Sequence, residues 1–139
     1  MNRYLPLIGR VLIGLPFVMS GFGKLAAYGK TTAMISAVGL PFPPLAYAVA
    51  VVLELGGGLL MIAGYQVRPV AIAQAIFTIA AAASFHTNFA DQNQMIHFLK
   101  DVMIAGGLLQ VAAFGAGAFS LDNRFSRDRG TIANAAPAR

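Results

Sequence analysis

The stretch Met95-Ile96-His97-Phe98-Leu99-Lys100-Asp101-Val102-Met103-Ile104-Ala105-Gly106-Gly107-Leu108-Leu109-Gln110-Val111-Ala112-Ala113-Phe114 decides the fold. A soluble amphipathic helix distributes its charges along one face. This stretch gathers His97, Lys100 and Asp101 at its start and then runs apolar. About 20 residues at ~1.5 Å rise span ~30 Å, the hydrocarbon thickness of a bilayer. The stretch reads as the last of four membrane helices.

The rest of the 139-residue chain agrees. It is 58% hydrophobic and 11% charged, whereas soluble domains carry about 25% charged residues. Lipid-facing surface requires that deficit. Cysteine is absent, which excludes disulfides and thiolate chemistry. The net charge of +5 does not point to nucleic acid, because the basic residues lie between and after the apolar runs. The expected fold is all-α, an integral membrane four-helix bundle over residues 1–122, followed by a basic cytoplasmic tail, 123–139, expected to be disordered.

Working back from the fourth span, the third covers about Pro69 to Phe89 and packs through alanines such as Ala71 and Ala75. The second, about Leu45 to Tyr65, carries one charge, Glu54, on a face with Gly57, Gly58 and Met61. The first runs from Leu5 to Ala26. Its length and the internal Arg10 argue against a cleaved signal peptide, and Pro16 is expected to kink it. Arg10, Gly14, Phe17, Gly21 and Lys24 share one face of this helix, where the glycines permit close approach. Between the first two spans, Thr31 to Leu40 fits either a short interfacial helix or an ordered loop.

Four spans place both termini on one side. Arg3, Arg10, Arg68 and the C-terminal arginines fall there, so the positive-inside rule puts both termini in the cytoplasm of a multi-pass inner-membrane protein. Tyr4 and Tyr65 then fall at the inner boundary and Tyr28 and Tyr47 at the outer one, where amphipathic rings favour the headgroups. Each helix contributes a titratable group to the outer half: Lys24, Glu54, His86, and His97 with Lys100 and Asp101. Arg10 alone is charged in the inner half, where it can snorkel.

Glu54 at mid-depth costs ~2.5 kcal/mol or more unless paired, and Lys24 and Lys100 are its candidate partners. His97 can meet Lys100 and Asp101 within its own helix. Besides a peptide or protein docking surface, two readings stay open for Lys24, Glu54, His86, His97, Lys100 and Asp101. One is an ion-pair network that fixes helix register. The other is a polar pocket open to a quinone headgroup, a small anion or protons. No haem, metal or nucleotide motif is present, and Gly56-Gly57-Gly58 suits helix packing, not a phosphate cradle.

The run Gly14-Leu15-Pro16-Phe17-Val18-Met19-Ser20-Gly21-Phe22-Gly23-Lys24-Leu25 resembles the G-x-x-K-L signature of the DoxX family of bacterial inner-membrane proteins. Gly39-Leu40-Pro41-Phe42-Pro43, the glycines around Glu54, Gly64 before Arg68, Phe98-Leu99-Lys100-Asp101 and the closing Gly115-Ala116-Gly117 to Asp122 follow the same pattern. The resemblance covers about Leu5 to Asp122. It implies a four-helix membrane protein linked to quinone-dependent or thiol-stress redox complexes. It thus implies an accessory or quinone-interacting subunit, not catalytic alone, with the lipid bilayer and membrane or peripheral redox proteins as partners. The rivals are a structural scaffold and a small-solute or proton-linked carrier. Small-residue faces would also permit a homodimer.

Overall fold

Each apolar run becomes a helix that ends where local chemistry stops it. The computed structural model describes residues 2–134 and contains six helices and no strand among them. Helix α1 spans Leu5–Ala26, with a proline in its first turn and Pro16 accommodated inside one continuous helix. Helix α2, Tyr28–Ala37, is the short segment between the first two spans. Helix α3 spans Pro43–Ala63 and contains a π turn at Val52–Gly56. Gly64, at φ +75°, closes it: its N–H and that of Tyr65 donate to the Leu60 carbonyl at 2.9 and 3.0 Å. Helices α4, Val67–Phe85, and α5, Gln92–Phe114, follow. The Asp91 carboxylate caps α5 by accepting from the Asn93 N–H at 2.9 Å. Helix α6 is Leu121–Asn134.

Helices α1, α3, α4 and α5 are long and apolar enough to cross a membrane. They are the four spans expected from sequence, although α4 stops at Phe85 instead of continuing to Phe89. At their middles Leu12, Val52, Ile76 and Met103 are 66–73% exposed. Side chains that apolar on every outward face suit lipid, not water.

The bundle consists of two closely packed pairs, α1 with α3 and α4 with α5. The first pair meets through glycine. A Cβ at Gly58 would lie 2.9 Å from the Gly14 carbonyl oxygen, and one at Gly21 would lie 2.8 Å from the Leu55 nitrogen. Only backbone fits between these helices, which is the close approach expected of the glycine face. Aromatic pairs mark the two ends. Tyr4 stacks on Phe119 at 5.1 Å and Tyr65 meets Phe125 at 6.0 Å at what we term the proximal end. Tyr28 meets Tyr47 edge-on at 4.8 Å at the distal end. Met61, Val67, Ala71, Ala75, Ala105 and Leu108 form one apolar core towards the proximal end.

Two expectations are corrected here. The tail does not begin as disordered chain at 123, since α6 is helical to Asn134; residues 135–139 lie outside the described residues. Asp122 orders its start. Its carboxylate accepts from the Gln66 and Val67 N–H groups at 2.8 and 3.0 Å, and its own N–H donates to the Gly64 carbonyl at 2.9 Å. Nor does Arg10 snorkel. It is 1% exposed, and its guanidinium donates to the carbonyls of Met61 and Ile62, both at 3.1 Å, and of Phe119. The carbonyls at the C-terminal end of α3 lack partners within the helix. Arg10 supplies them from α1 and ties in the segment before α6.

Arg10→Met is therefore expected to lower stability by about 3 kcal/mol, by leaving buried carbonyls unpaired. Arg10→Lys should recover less than half, because a point charge cannot reach carbonyls on two elements at once. Thermal unfolding in detergent measures both, and an unchanged melting temperature for Arg10→Met would refute this role.

Candidate functional site

Apart from Arg10, the buried charge of the bundle lies in its distal half. Glu54 occupies the π turn of α3, 7% exposed. A π turn frees backbone carbonyls from the regular ladder. The freed carbonyl of Leu53 accepts from Gln74 Nε2 at 3.1 Å, and Gln74 is fully buried on α4. Gly57 leaves the room, since a Cβ there would lie 2.9 Å from Gln74 Nε2. The irregular turn that presents Glu54 is thus braced from the neighbouring helix.

Lys24 reaches Glu54 from α1. Its Nζ lies 2.8 Å from Oε2 and 3.0 Å from Oε1, and 3.0 Å from Ser20 Oγ. Lys24 thus donates hydrogen bonds to Glu54 Oε1 and Ser20 Oγ and pairs by charge with Oε2, which is buried and has no hydrogen-bond partner. The Tyr47 hydroxyl donates to the Lys24 carbonyl at 3.1 Å and secures the end of α1.

Lys100, expected beside this pair, is not there. It is exposed and forms no ion pair among the described residues. Successive helical residues point ~100° apart, so the inward turn of Asp101 carries Lys100 outward. Asp101 instead meets His86, which follows α4, with Nε2 and Oδ2 4.0 Å apart. His97 stacks on His86 with ring centroids 5.1 Å apart. His97 also stays within electrostatic reach of Asp101, its expected neighbour in α5. No group of three or more metal-ligating side chains occurs among the described residues.

Glu54 and Asp101 face one cavity of about 180 Å³. Its other walls are Pro16, Phe17 and Ser20 of α1, Phe77, Thr78 and Ala81 of α4, and Ile104 of α5. Helices α1 and α5 touch little, so their seam is the thinnest wall towards lipid. The volume is roughly ten times what one water needs, yet below the ~300 Å³ of pockets that enclose a whole drug-sized ligand. It suits one small ring with its remainder outside. Thr78 is 5% exposed, and its hydroxyl has no hydrogen-bond partner. A buried unpaired hydroxyl costs about 1–3 kcal/mol, so this one stands ready for an added partner. Sequence alone marks Thr78 only as one polar residue in an alanine-rich span. No pattern of spacing identifies it or Gln74 as part of the site.

A helical bundle of four segments long and apolar enough to cross a membrane, with an apolar exterior, defines a multi-pass membrane protein. The chain belongs to the DoxX family, whose family model matches residues 5–87. It is 36% identical over 121 residues to the inner membrane protein YqjF of Escherichia coli K12, covering 87% of this chain and 92% of that protein. It is 37% identical over 123 residues to the inner membrane protein YphA of the same organism, covering 85% and 88%. No solved structure matches the chain significantly.

Removing one partner of a buried ion pair strands the other charge. Lys24→Met is expected to destabilise the protein by about 3–5 kcal/mol, and adding Glu54→Gln should recover most of the loss. Unfolding of the single and double variants in detergent tests this. Strictly additive losses would show that the pair does not act as a unit.

Proposed function

We propose that this chain is a quinone-binding accessory subunit of a membrane redox complex. The observation that carries the reading is the cavity itself. Its lining includes one unpartnered hydroxyl, Thr78, the carboxyls of Glu54 and Asp101, and the rings of Phe17 and Phe77. A quinone presents carbonyl acceptors and a quinol presents hydroxyl donors. Thr78 can donate to the first, and the carboxylates can accept from the second. Phenyl rings favour a planar ring by offset or edge contact. A thin seam between α1 and α5 suits a ligand whose tail stays in lipid. The chain has no cysteine, so the part assigned to it is to hold and orient the ring, and the electron-transfer chemistry belongs to a partner protein.

The scaffold reading draws support from the Lys24–Glu54 ion pair, and the two readings are compatible, since Glu54 can hold Lys24 and still face the cavity. A solute carrier has less support, because the proximal half is filled by core and Arg10 is committed to carbonyls. We also assign the proximal end to the cytoplasm. Exposed Arg3, Arg68, Arg124, Arg127 and Arg129 gather there, against Lys24, Lys30 and Lys100 towards the other end.

Titration of a short-tailed benzoquinone into the purified protein, read by equilibrium dialysis, tests the site. Thr78→Val keeps the shape and removes the hydroxyl, and is expected to weaken binding about fivefold. No saturable binding to the wild-type protein, or equal affinity in Thr78→Val, would sink the proposal. For orientation, single cysteines at Asn88 and Ser126 in this cysteine-free chain should be labelled by an impermeant maleimide from the periplasmic side and the cytoplasmic side respectively. The reverse pattern would overturn the assignment.

A further inference from the structure

A second cavity, larger than the candidate quinone site, lies at the opposite end of the bundle. It is open, holds about 740 Å³, and is bounded by the start of α4, the end of α5 and the first turns of α6. Arg68 and Arg129 both line it, and neither forms an ion pair among the described residues. The Arg68 guanidinium lies over Gly115, where a Cβ would stand 3.5 Å from its Nε. The other polar groups nearby are already engaged. Asp122 holds the first N–H groups of α4 and lies within electrostatic reach of Arg10. Ser120 Oγ donates to the Gly117 carbonyl at 2.8 Å, and Asn123 Nδ2 to the Ala118 carbonyl at 2.8 Å. The two guanidiniums are left with unspent donors around a space large enough for a headgroup. Phe114, 81% exposed at the end of α5, extends an apolar surface from the same space.

We propose that this pocket binds the phosphodiester headgroup of an anionic membrane lipid. Arg68 and Arg129 donate to the phosphate oxygens, and Phe114 lies along the upper part of an acyl chain. Guanidinium matches phosphate geometry through paired N–H donors. Basic pockets where membrane helices reach the headgroup layer are suited to such lipids. The ends of α4 and α5 place the arginines at that depth, and the aromatic edge favours an amphiphile over a soluble phosphate ester, which would use the arginines alone. The carboxylate of Asp122 does not oppose the anion strongly, because both of its oxygens are taken and a cation lies behind it.

The test uses the full chain purified in detergent, titrated with phosphatidylglycerol, phosphatidylcholine or soluble glycerol phosphate and read by thermal unfolding. Phosphatidylglycerol is expected to raise the unfolding temperature saturably, and the other two are not. At about fivefold per arginine, Arg68→Gln with Arg129→Gln should weaken the apparent affinity for phosphatidylglycerol roughly thirtyfold. Arg124→Gln with Arg127→Gln removes the same charge from outside the cavity and should change it by less than about twofold. Phe114→Ser gives an independent reading should the first double variant fail to fold, and it should weaken the lipid severalfold. Equal losses in the two arginine pairs would reduce the effect to diffuse charge and overturn the proposal. So would glycerol phosphate binding as tightly as the lipid, or an unchanged affinity in Phe114→Ser.

Discussion

Two cations on one face of α1 fix the bundle. Lys24 grips the carboxylate of Glu54 near one end of the helix, and Arg10 grips the terminal carbonyls of α3 near the other. Fourteen residues separate them, ~21 Å of helix at 1.5 Å per residue. Between them Gly14 and Gly21 bring backbone against backbone. Lipid supplies no hydrophobic force to press helices together, so contact has to come from packing and polar bonds. On this face polar bonds set the register at both ends, and glycine allows the surfaces in between to close. A shift of α1 by one turn would unpair both cations together.

The consequences spread from α3. Holding Glu54 at mid-depth coincides with a π turn, and the π turn leaves a carbonyl for Gln74 of α4 to satisfy. The two helix pairs are thereby joined at the level of the charge. Towards the proximal end small and medium side chains, Ala71, Ala75, Ala105 and Leu108, fill the interior. Towards the distal end Phe17, Phe77, Glu54 and Asp101 surround space. Arg10 ties the helices together at one end, and the cavity that Glu54 and Asp101 border lies on the distal side of the brace.

Much of this architecture was legible in the sequence. The first span runs from Leu5 to Ala26 because a proline opens it and small residues close it, and the shared face of Arg10, Gly14, Gly21 and Lys24 follows from helical spacing alone. What the sequence did not carry was direction at a given depth. An arginine one turn inside a span has the same spacing whether it turns to the headgroups or inward to carbonyls. The choice for Arg10 depends on where α3 ends and where Phe119 returns. Lys100 and Asp101 posed the same difficulty, since adjacency guarantees divergence but not which of the two faces inward. The π turn leaves no compositional mark in a run of Val, Leu and Gly. Helix α6 is mostly polar, with Leu121, Phe125 and Ile132 interspersed, and its start is tied to partners elsewhere in the chain: the N–H groups at the start of α4 for Asp122 and the ring of Tyr65 for Phe125.

The assignment of chemistry within the polar cluster follows from counting donors. Lys24 and Glu54 attract attention first because charge at mid-depth is costly. Yet Lys24 is already committed to the Glu54 carboxylate and to Ser20 Oγ, so the pair can hold the helices without offering the ammonium to a ligand. Thr78 is the opposite case, uncharged and inconspicuous, but buried with its hydroxyl unmet. Asp101 lies between these extremes, bordering the cavity while its nearest cation, His86, stands at 4.0 Å. In a low-dielectric interior a satisfied group contributes rigidity and an unsatisfied one contributes binding potential. Lys24 and Arg10 therefore belong to the frame, and the potential for binding rests with Thr78 and with the carboxylates that border the cavity.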